Sequence, residues 1–270
     1  MRIQHLDCGT LRPSGGRLIG FPRAVCHCLL LETDQGLVLV DTGFGLRDVT
    51  AATERLGGAF VRIMRPLLDP AETAVRRVTA LGYRAADVRH IVLTHLDPDH
   101  AGGVADFPDA TVHVTAAEYS AATAPPSRGE RFRYRPGQWS HGPRWQLHDG
   151  TGGPEWFGVP GVQEVAAVPG VFLVPLPGHS RGHTGVAVRR DEGGGWLLHA
   201  GDAYFHHAAL EPGGRPPLGA RAFDVMARAD GSTWRASRTR LRALRAEPRL
   251  EIICAHDPAE FRRWRRQPAG

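Results

Sequence analysis

Several side chains that can bind a metal are packed into one short stretch of the chain. Residues 90–94 form an apolar run that predicts a buried strand. Carboxylates crowded at a strand end repel one another unless a cation compensates them. Residues 95–100, which follow this run, therefore predict a metal site with imidazole and carboxylate ligands. The segment reads His95-Leu96-Asp97-Pro98-Asp99-His100.

Three later turns each place a metal-binding side chain where a predicted strand stops. Taken separately, each has a simpler interpretation as a turn histidine, a helix N-cap or a core residue. Their shared position at strand ends, two of them preceded by glycine, favours a single common site, because strand ends are rigid platforms. The three residues are His179, Asp202 and His256.

The elements that must position these residues are mostly short strands. Helices are predicted over residues 71–81 and 233–246 and from about Pro258, without strict alternation with the strands, which favours two sheets covered by helices. Residues 124–161 are rich in Pro, Gly, Arg and Trp and predict a surface insertion. Strands are predicted at 25–33, 36–41, 90–94, 111–115, 171–176, 184–189, 196–200 and 250–254.

Five segments in this order resemble the motifs of the metallo-β-lactamase superfamily. The resemblance spans most of the chain and implies an α/β (α+β) fold, a four-layered αββα sandwich of two mixed sheets flanked by helices. It also implies one domain over residues 1–270, with an insertion or lid at about 124–161, and a site for two divalent metal ions, with zinc favoured over manganese or iron. The segments are Val40-Asp41-Thr42-Gly43, residues 94–103, residues 177–183, Gly201-Asp202-Ala203 and Ala255-His256-Asp257.

The same resemblance assigns the ligands to two positions. His95, Asp97 and His179 would hold the first metal, Asp99, His100 and His256 the second, and Asp202 would bridge both. Asp41 and His183 are expected to support ligands without touching the metals. The family motif usually has a histidine where this chain has Asp97, which leaves the occupancy of the first position open.

Within the family, the chain most resembles the lactonase-like hydrolases. This resemblance implies hydrolysis of a small-molecule ester or lactone by a metal-bridging hydroxide that Asp99 orients. Tyr204 follows Asp202 and is a candidate to hold the substrate carbonyl, with packing as its alternative role. A thioester or phosphoester hydrolase, a nucleic-acid-processing enzyme and a non-catalytic binding or sensing protein are the competing classes.

Aromatic side chains in the insertion leave two interpretations open. They would either roof an apolar pocket over the metals or pin the segment to the body of the fold. They are Tyr134, Trp139, Trp145, Trp156 and Phe157, with His141 among them.

Composition argues against several partners. The formal charge is +5, but all 33 basic residues are arginine, scattered among acids in a chain without lysine or asparagine, which is typical of codon bias rather than of a nucleic-acid surface. No apolar stretch resembles a signal peptide or a membrane span, so we expect a cytoplasmic protein without a membrane partner. The resemblance described above implies a small-molecule substrate. The four cysteines form no Cys-x-x-Cys pair and are predicted to be buried thiols.

Overall fold

The computed structural model describes residues 1–125, 127–150, 155–190 and 194–265. The strands are β1 Arg2–Leu11, β2 Ala24–Thr33, β3 Gly36–Val40, β4 Val88–Val92, β5 Thr111–Thr115, β6 Arg144–His148, β7 Gln163–Glu164, β8 Val171–Pro175, β9 Thr184–Arg189, β10 Trp196–His199 and β11 Leu250–Ile253. The α-helices are α1 Leu46–Thr50, α2 Ala52–Leu56, α3 Gly58–Met64, α4 Ala74–Ala80, α5 Pro98–Ala101, α6 Ala116–Thr123, α7 Arg128–Arg133, α8 Leu218–Ala227, α9 Gly231–Leu244 and α10 Pro258–Arg265. Short 3-10 helices cover Pro70–Glu72, Ala85–Asp87, Gly102–Asp106, Pro136–Trp139 and His207–Ala209.

The strands form two mixed sheets. The first has the order β1-β2-β3-β4-β5-β6, antiparallel from β1 to β3 and parallel from β3 to β6. The second has the order β11-β10-β9-β8-β7, with β10 and β11 parallel and the other pairs antiparallel. The carboxyl ends of β3, β4, β10 and β11 are therefore available to present side chains from both sheets.

Alternation along the strands explains the layers, because successive side chains of a strand point to opposite faces. Leu29 and Leu31 of β2 pack with Val186 and Val188 of β9 between the two sheets. Residues of the opposite face of the first sheet pack against α4 and α6, and those of the second sheet pack against α9. The four-layered αββα sandwich predicted from the sequence is confirmed.

Three local expectations differ from the structure. The strand Arg2–Leu11 was not predicted, although it pairs along most of β2. Within the stretch expected to be an irregular insertion, Arg144–His148 is a strand that pairs with β5 and extends the first sheet. The helix predicted over 71–81 begins as a 3-10 turn, in which the Asp69 side chain accepts from the Ala71 amide, and becomes α-helical only after Thr73.

None of the described helices is long and apolar enough to cross a bilayer. The four cysteines are free and buried, as predicted. Cys26 and Cys28 both lie on β2.

Candidate metal centre

The strand ends bring all the proposed ligands into one cluster. His95, Asp97, Asp99 and His100 follow β4, and the other three ligands follow β8, β10 and β11, as the sequence pattern predicted. Six of the seven are buried, and Asp97 is partly exposed. The chain approaches itself closely here: a Cβ on Gly103 would lie 2.8 Å from the Thr42 carbonyl oxygen.

The second position gathers Asp99, His100, His256 and Asp202. The Nε2 atoms of His100 and His256 lie 3.3 Å apart. Asp202 Oδ1 lies 3.3 Å from His100 Nε2 and 3.1 Å from His256 Nε2. Asp99 Oδ2 lies 3.6 Å from His256 Nε2. Four potential metal-ligand side chains therefore converge within the reach of one small cation.

Hydrogen bonds on the far side of the rings fix which nitrogen faces the cluster. His256 Nδ1 lies 2.8 Å from the Val25 carbonyl oxygen, which can only accept, so Nδ1 carries the proton. His100 Nδ1 lies 2.8 Å from Asp41 Oδ2 and donates in the same way. Each Nε2 therefore faces the cluster. Burial lowers the pKa of both rings, but Asp202 and the other neighbouring carboxylates raise it above the usual range, so the cluster favours a positive charge at these Nε2 atoms. A metal ion can replace the Nε2 protons and supply that charge, and imidazoles held by Nδ1 hydrogen bonds among carboxylates are the pattern of a metal site.

His95 has the same arrangement through a relay. The Thr94 hydroxyl donates to Asp41 Oδ2 at 2.8 Å, so it accepts from His95 Nδ1 at 2.9 Å. His95 Nε2 is left buried, without a hydrogen-bond partner among the described residues. Burial would raise the pKa of Asp41, but the neighbouring His100 and its hydrogen bond lower the pKa to about 2, so Asp41 stays an ionised acceptor.

The first position contains His95, Asp97 and His179, whose ligand atoms lie within 4.8 Å of one another. Asp97 Oδ2 lies 3.0 Å from His179 Nε2 and 3.5 Å from His95 Nε2. Arg133, at the end of α7, lies against the same atoms, with Nη1 2.9 Å from Asp97 Oδ2. Burial alone would raise the pKa of Asp97, but the Arg133 charge and the two histidines hold it well below its usual range.

Asp202 sits between the two positions and is held by His183. The Asp202 amide donates to His183 Nε2 at 2.9 Å, and His183 Nδ1 donates to the Leu176 carbonyl at 2.8 Å. Gly201 has a φ of 53°, and a Cβ there would lie 2.6 Å from His183 Nε2. His183 therefore supports a ligand without facing the cluster, as the sequence resemblance implied.

Three residues that contribute to the site were missed by sequence reasoning. Glu118 is buried and accepts from the Leu96 amide, the Ser180 hydroxyl, the Gly182 amide and the Tyr134 hydroxyl, so it ties two ligand loops together. Its helical position carries no metal-like spacing that would have revealed it. Sequence reasoning did not single out Arg133, because it is one of 33 arginines in the chain. Cys26, interpreted only as a buried thiol, has Sγ within 4.8 Å of ligand atoms of Asp99 and His256.

Tyr204, the candidate catalytic tyrosine, does not reach the cluster. It is fully buried in the core under the second sheet, and its hydroxyl donates to Glu260 Oε1 at 3.0 Å. Burial, together with the Glu260 charge, raises its pKa well above the usual range. The structure therefore assigns Tyr204 to packing rather than to substrate binding.

A cavity of about 840 Å³ opens over the ligand cluster. Asp97, Asp99, His179 and Asp202 line its floor, and its walls are largely apolar. The six aromatic side chains of the expected lid, all within the described residues, line other parts of the fold; Trp156, for example, packs against Trp196. The apolar walls include Phe60, Ile63, Met64, Phe132, Phe223 and Met226.

Comparisons with known proteins agree with this geometry. The sequence model of the metallo-beta-lactamase superfamily matches residues 22–256, so the chain belongs to that superfamily. A probable metallo-hydrolase of Mycobacterium tuberculosis is 47% identical over 261 residues, which are 96% of this chain and 81% of the relative. The N-acyl homoserine lactonase AttM of Rhizobium johnstonii is 28% identical over 99% of this chain and 97% of its own length.

The fold is also similar to that of a solved lactonase. A mutant of the AiiA lactonase of Bacillus thuringiensis, with N-decanoyl-L-homoserine bound at its active site, superposes with a TM-score of 0.73. It is 25% identical, and the match covers 97% of this chain and 95% of that one. Together with the metallo-hydrolase relatives, these matches identify the chain as a member of a metal-dependent hydrolase family.

Proposed function

We propose that this protein hydrolyses a small lactone or related ester that carries an apolar substituent, with two divalent metal ions, zinc favoured, held by the seven residues of the cluster. One observation carries the proposal: His100 and His256, fixed by their Nδ1 hydrogen bonds, aim Nε2 at carboxylates that line the floor of an apolar-walled cavity. The N-acyl homoserine lactonases among the relatives support the lactone as the substrate class.

The donor set fits divalent metals, since buried imidazoles and carboxylates in this arrangement need a cation and suit zinc. Metals bound here would supply Lewis acidity and lower the pKa of a bound water to about 7. We further propose one catalytic domain over residues 1–270, in which residues 127–135, rather than the whole stretch 124–161, border the substrate cavity.

The chain's own residues would perform the remaining steps. Phe60, Phe223 and Met226 would hold the apolar substituent and exclude water from it. Asp99 lies on the floor of the cavity, where its carboxylate can orient the attacking water, accept its proton and return that proton to the leaving alkoxide. Asp41 and His183 would keep the ligands of both positions in place through the hydrogen bonds described above.

A substrate panel tests the proposal. Purified protein is assayed with lactones, linear esters, thioesters and phosphoesters, before and after chelation and after zinc or manganese is restored. We expect lactones to be hydrolysed fastest, with activity lost on chelation and regained with metal. Lactone binding without turnover would favour a sensing protein, and preferential phosphoester turnover would contradict the proposed substrate class.

A matched pair of variants tests the role of the cavity wall. Ile63 lines the cavity and Leu81 does not, and both side chains are 43% exposed. We expect Ile63→Asp to raise KM for lactones with long acyl chains much more than for short ones, and Leu81→Asp to leave both unchanged. An equal effect of the two variants would show that the substituent binds elsewhere.

A further inference from the structure

Arg133 reaches from the end of α7 into the first metal position. Its Nη1 lies 2.9 Å from Asp97 Oδ2 and 2.9 Å from His179 Nε2. The other arm of the guanidinium, Nη2, donates to the Ala227 carbonyl at the end of α8. The side chain is 16% exposed, so packing from two elements fixes its orientation.

These contacts use the lone pairs that a metal ion in the first position would need. An arginine N–H donates to His179 Nε2 and Asp97 Oδ2, and a metal ion would bind through the same two atoms. A guanidinium does not lose its proton under ordinary conditions, so it cannot give way by becoming neutral. It can give way only by moving, which would break its bonds to Asp97, His179 and the Ala227 carbonyl.

Asp97 makes this arrangement favourable. A carboxylate at this place forms an ion pair with Arg133, whereas a neutral imidazole would leave the guanidinium without an anionic partner. Within the described residues, by contrast, no arginine pairs with Asp99 or Asp202, whose recorded ionic partners are histidines. The two positions therefore differ in whether a resident cationic side chain already uses the donors.

We propose that Arg133 controls occupancy of the first metal position. Its guanidinium competes with a divalent ion for Asp97 and His179, so at rising metal concentration the second position is occupied before the first. The inference depends on the proposed metal centre, but it is a property of this chain's own arginine. At a limiting metal concentration the protein holds one ion per chain, in the second position. Another ion enters the first position only when Arg133 moves away from it.

Zinc titration against a chromophoric chelator tests the inference without relying on activity. Arg133→Met removes the charge, and Arg133→Gln removes the charge but keeps a hydrogen-bond donor. Arg131→Met, an exposed arginine on the same helix, is the matched control. We expect two unequal affinities in the parent. Both Arg133 variants should tighten the weaker one by about 10- to 100-fold, the range typical of residues that support metal ligands, and leave the stronger one unchanged.

The outcomes separate this inference from the proposed function. Two equally tight zinc ions in the parent, or an unchanged weaker affinity in folded Arg133→Met and Arg133→Gln, would overturn the role of Arg133 and leave the metal centre standing. An equal tightening in Arg131→Met would also overturn it, because the effect would then come from general charge. If neither the parent nor any variant bound zinc, the metal centre would fail, and this inference with it.

Discussion

The two proposed metal positions share Asp202 but are built differently. In the second position, His100 and His256 have their Nδ1 atoms committed to Asp41 and to the Val25 carbonyl, so their Nε2 atoms are fixed toward the cluster. In the first position, Arg133 donates to the ligand His179, whose Nδ1 has no partner within the described residues. One position is preorganised for a metal, while the other is stabilised by a side-chain cation.

A matching ligand set therefore does not by itself fix the number of bound metal ions. Carboxylates crowded in a buried cluster favour a cation, because like charges repel one another and burial penalises each of them. Where a guanidinium already satisfies those acceptors, the need for a metal is smaller.

Asp202→Ala should be the most damaging single change. It removes the carboxylate that lies between the two positions, 3.1 Å from His256 Nε2 and 3.4 Å from His179 Nε2. We expect kcat/KM to fall by about 10⁴-fold, and the double variant with His256→Ala to be little worse, since residues that act as a unit are strongly non-additive. Additive losses in steady-state kinetics would place the two residues in separate sites.

Removing one histidine from each position should separate them. We expect His256→Ala to lose the tightly bound ion and His179→Ala to retain it, because only the second position holds its donors without Arg133. Elemental analysis after dialysis against a weak chelator measures the difference. Equal metal loss in the two variants would mean that the positions are equivalent.

Asp41→Asn should weaken both positions together. Asp41 accepts from His100 directly and fixes His95 through Thr94, so an amide in its place disturbs one ligand of each position. We expect metal affinity to fall by about 10- to 100-fold. Competition with a chelator measures this affinity. A loss of affinity confined to one position would show that the relay through Thr94 does not act.

Asp97→His should strengthen the first position. It removes the anionic partner of Arg133 and leaves more net positive charge on bound metals, which makes a bound water more acidic. We expect zinc retention to rise by about tenfold and the basic limb of the pH–rate profile to move to lower pH. An unchanged metal content with an unchanged pH profile would show that Asp97 is not a ligand.

Tyr204→Phe should have the smallest effect on activity. The hydroxyl points to Glu260 in the core, away from both positions, so kcat and KM should stay near the parent values. Loss of the hydrogen bond should lower the free energy of unfolding by about 1–3 kcal/mol. A large fall in kcat with unchanged stability would restore the catalytic role that the sequence suggested for Tyr204.

Much of this architecture could be predicted from the sequence. The strand ends and their ligands follow from apolar runs that stop at His, Asp and Gly, and the ligand loops lie where those runs end. Local patterns failed at β6, where the mixed polar and apolar residues of Arg144–His148 form an edge strand by pairing with β5. They also missed β1, whose long pairing with β2 is a tertiary contact.

The supporting residues were harder to foresee, because their roles depend on contacts between distant parts of the chain. Glu118 acts through groups 16 to 64 residues away, and Arg133 meets Asp97 across 36 residues. Tyr204 was misplaced for a similar reason: its closeness to Asp202 in sequence gave no information on the side chain's direction. Ligand types and spacing thus revealed the centre of the site, but not what surrounds it.

The most direct test is anomalous diffraction from crystals grown with limiting zinc, measured on both sides of the zinc absorption edge. We expect a strong peak among Asp99, His100, Asp202 and His256, and a weak peak among His95, Asp97 and His179. Anomalous density outside this cluster, or a stronger peak at the first position than at the second, would contradict it.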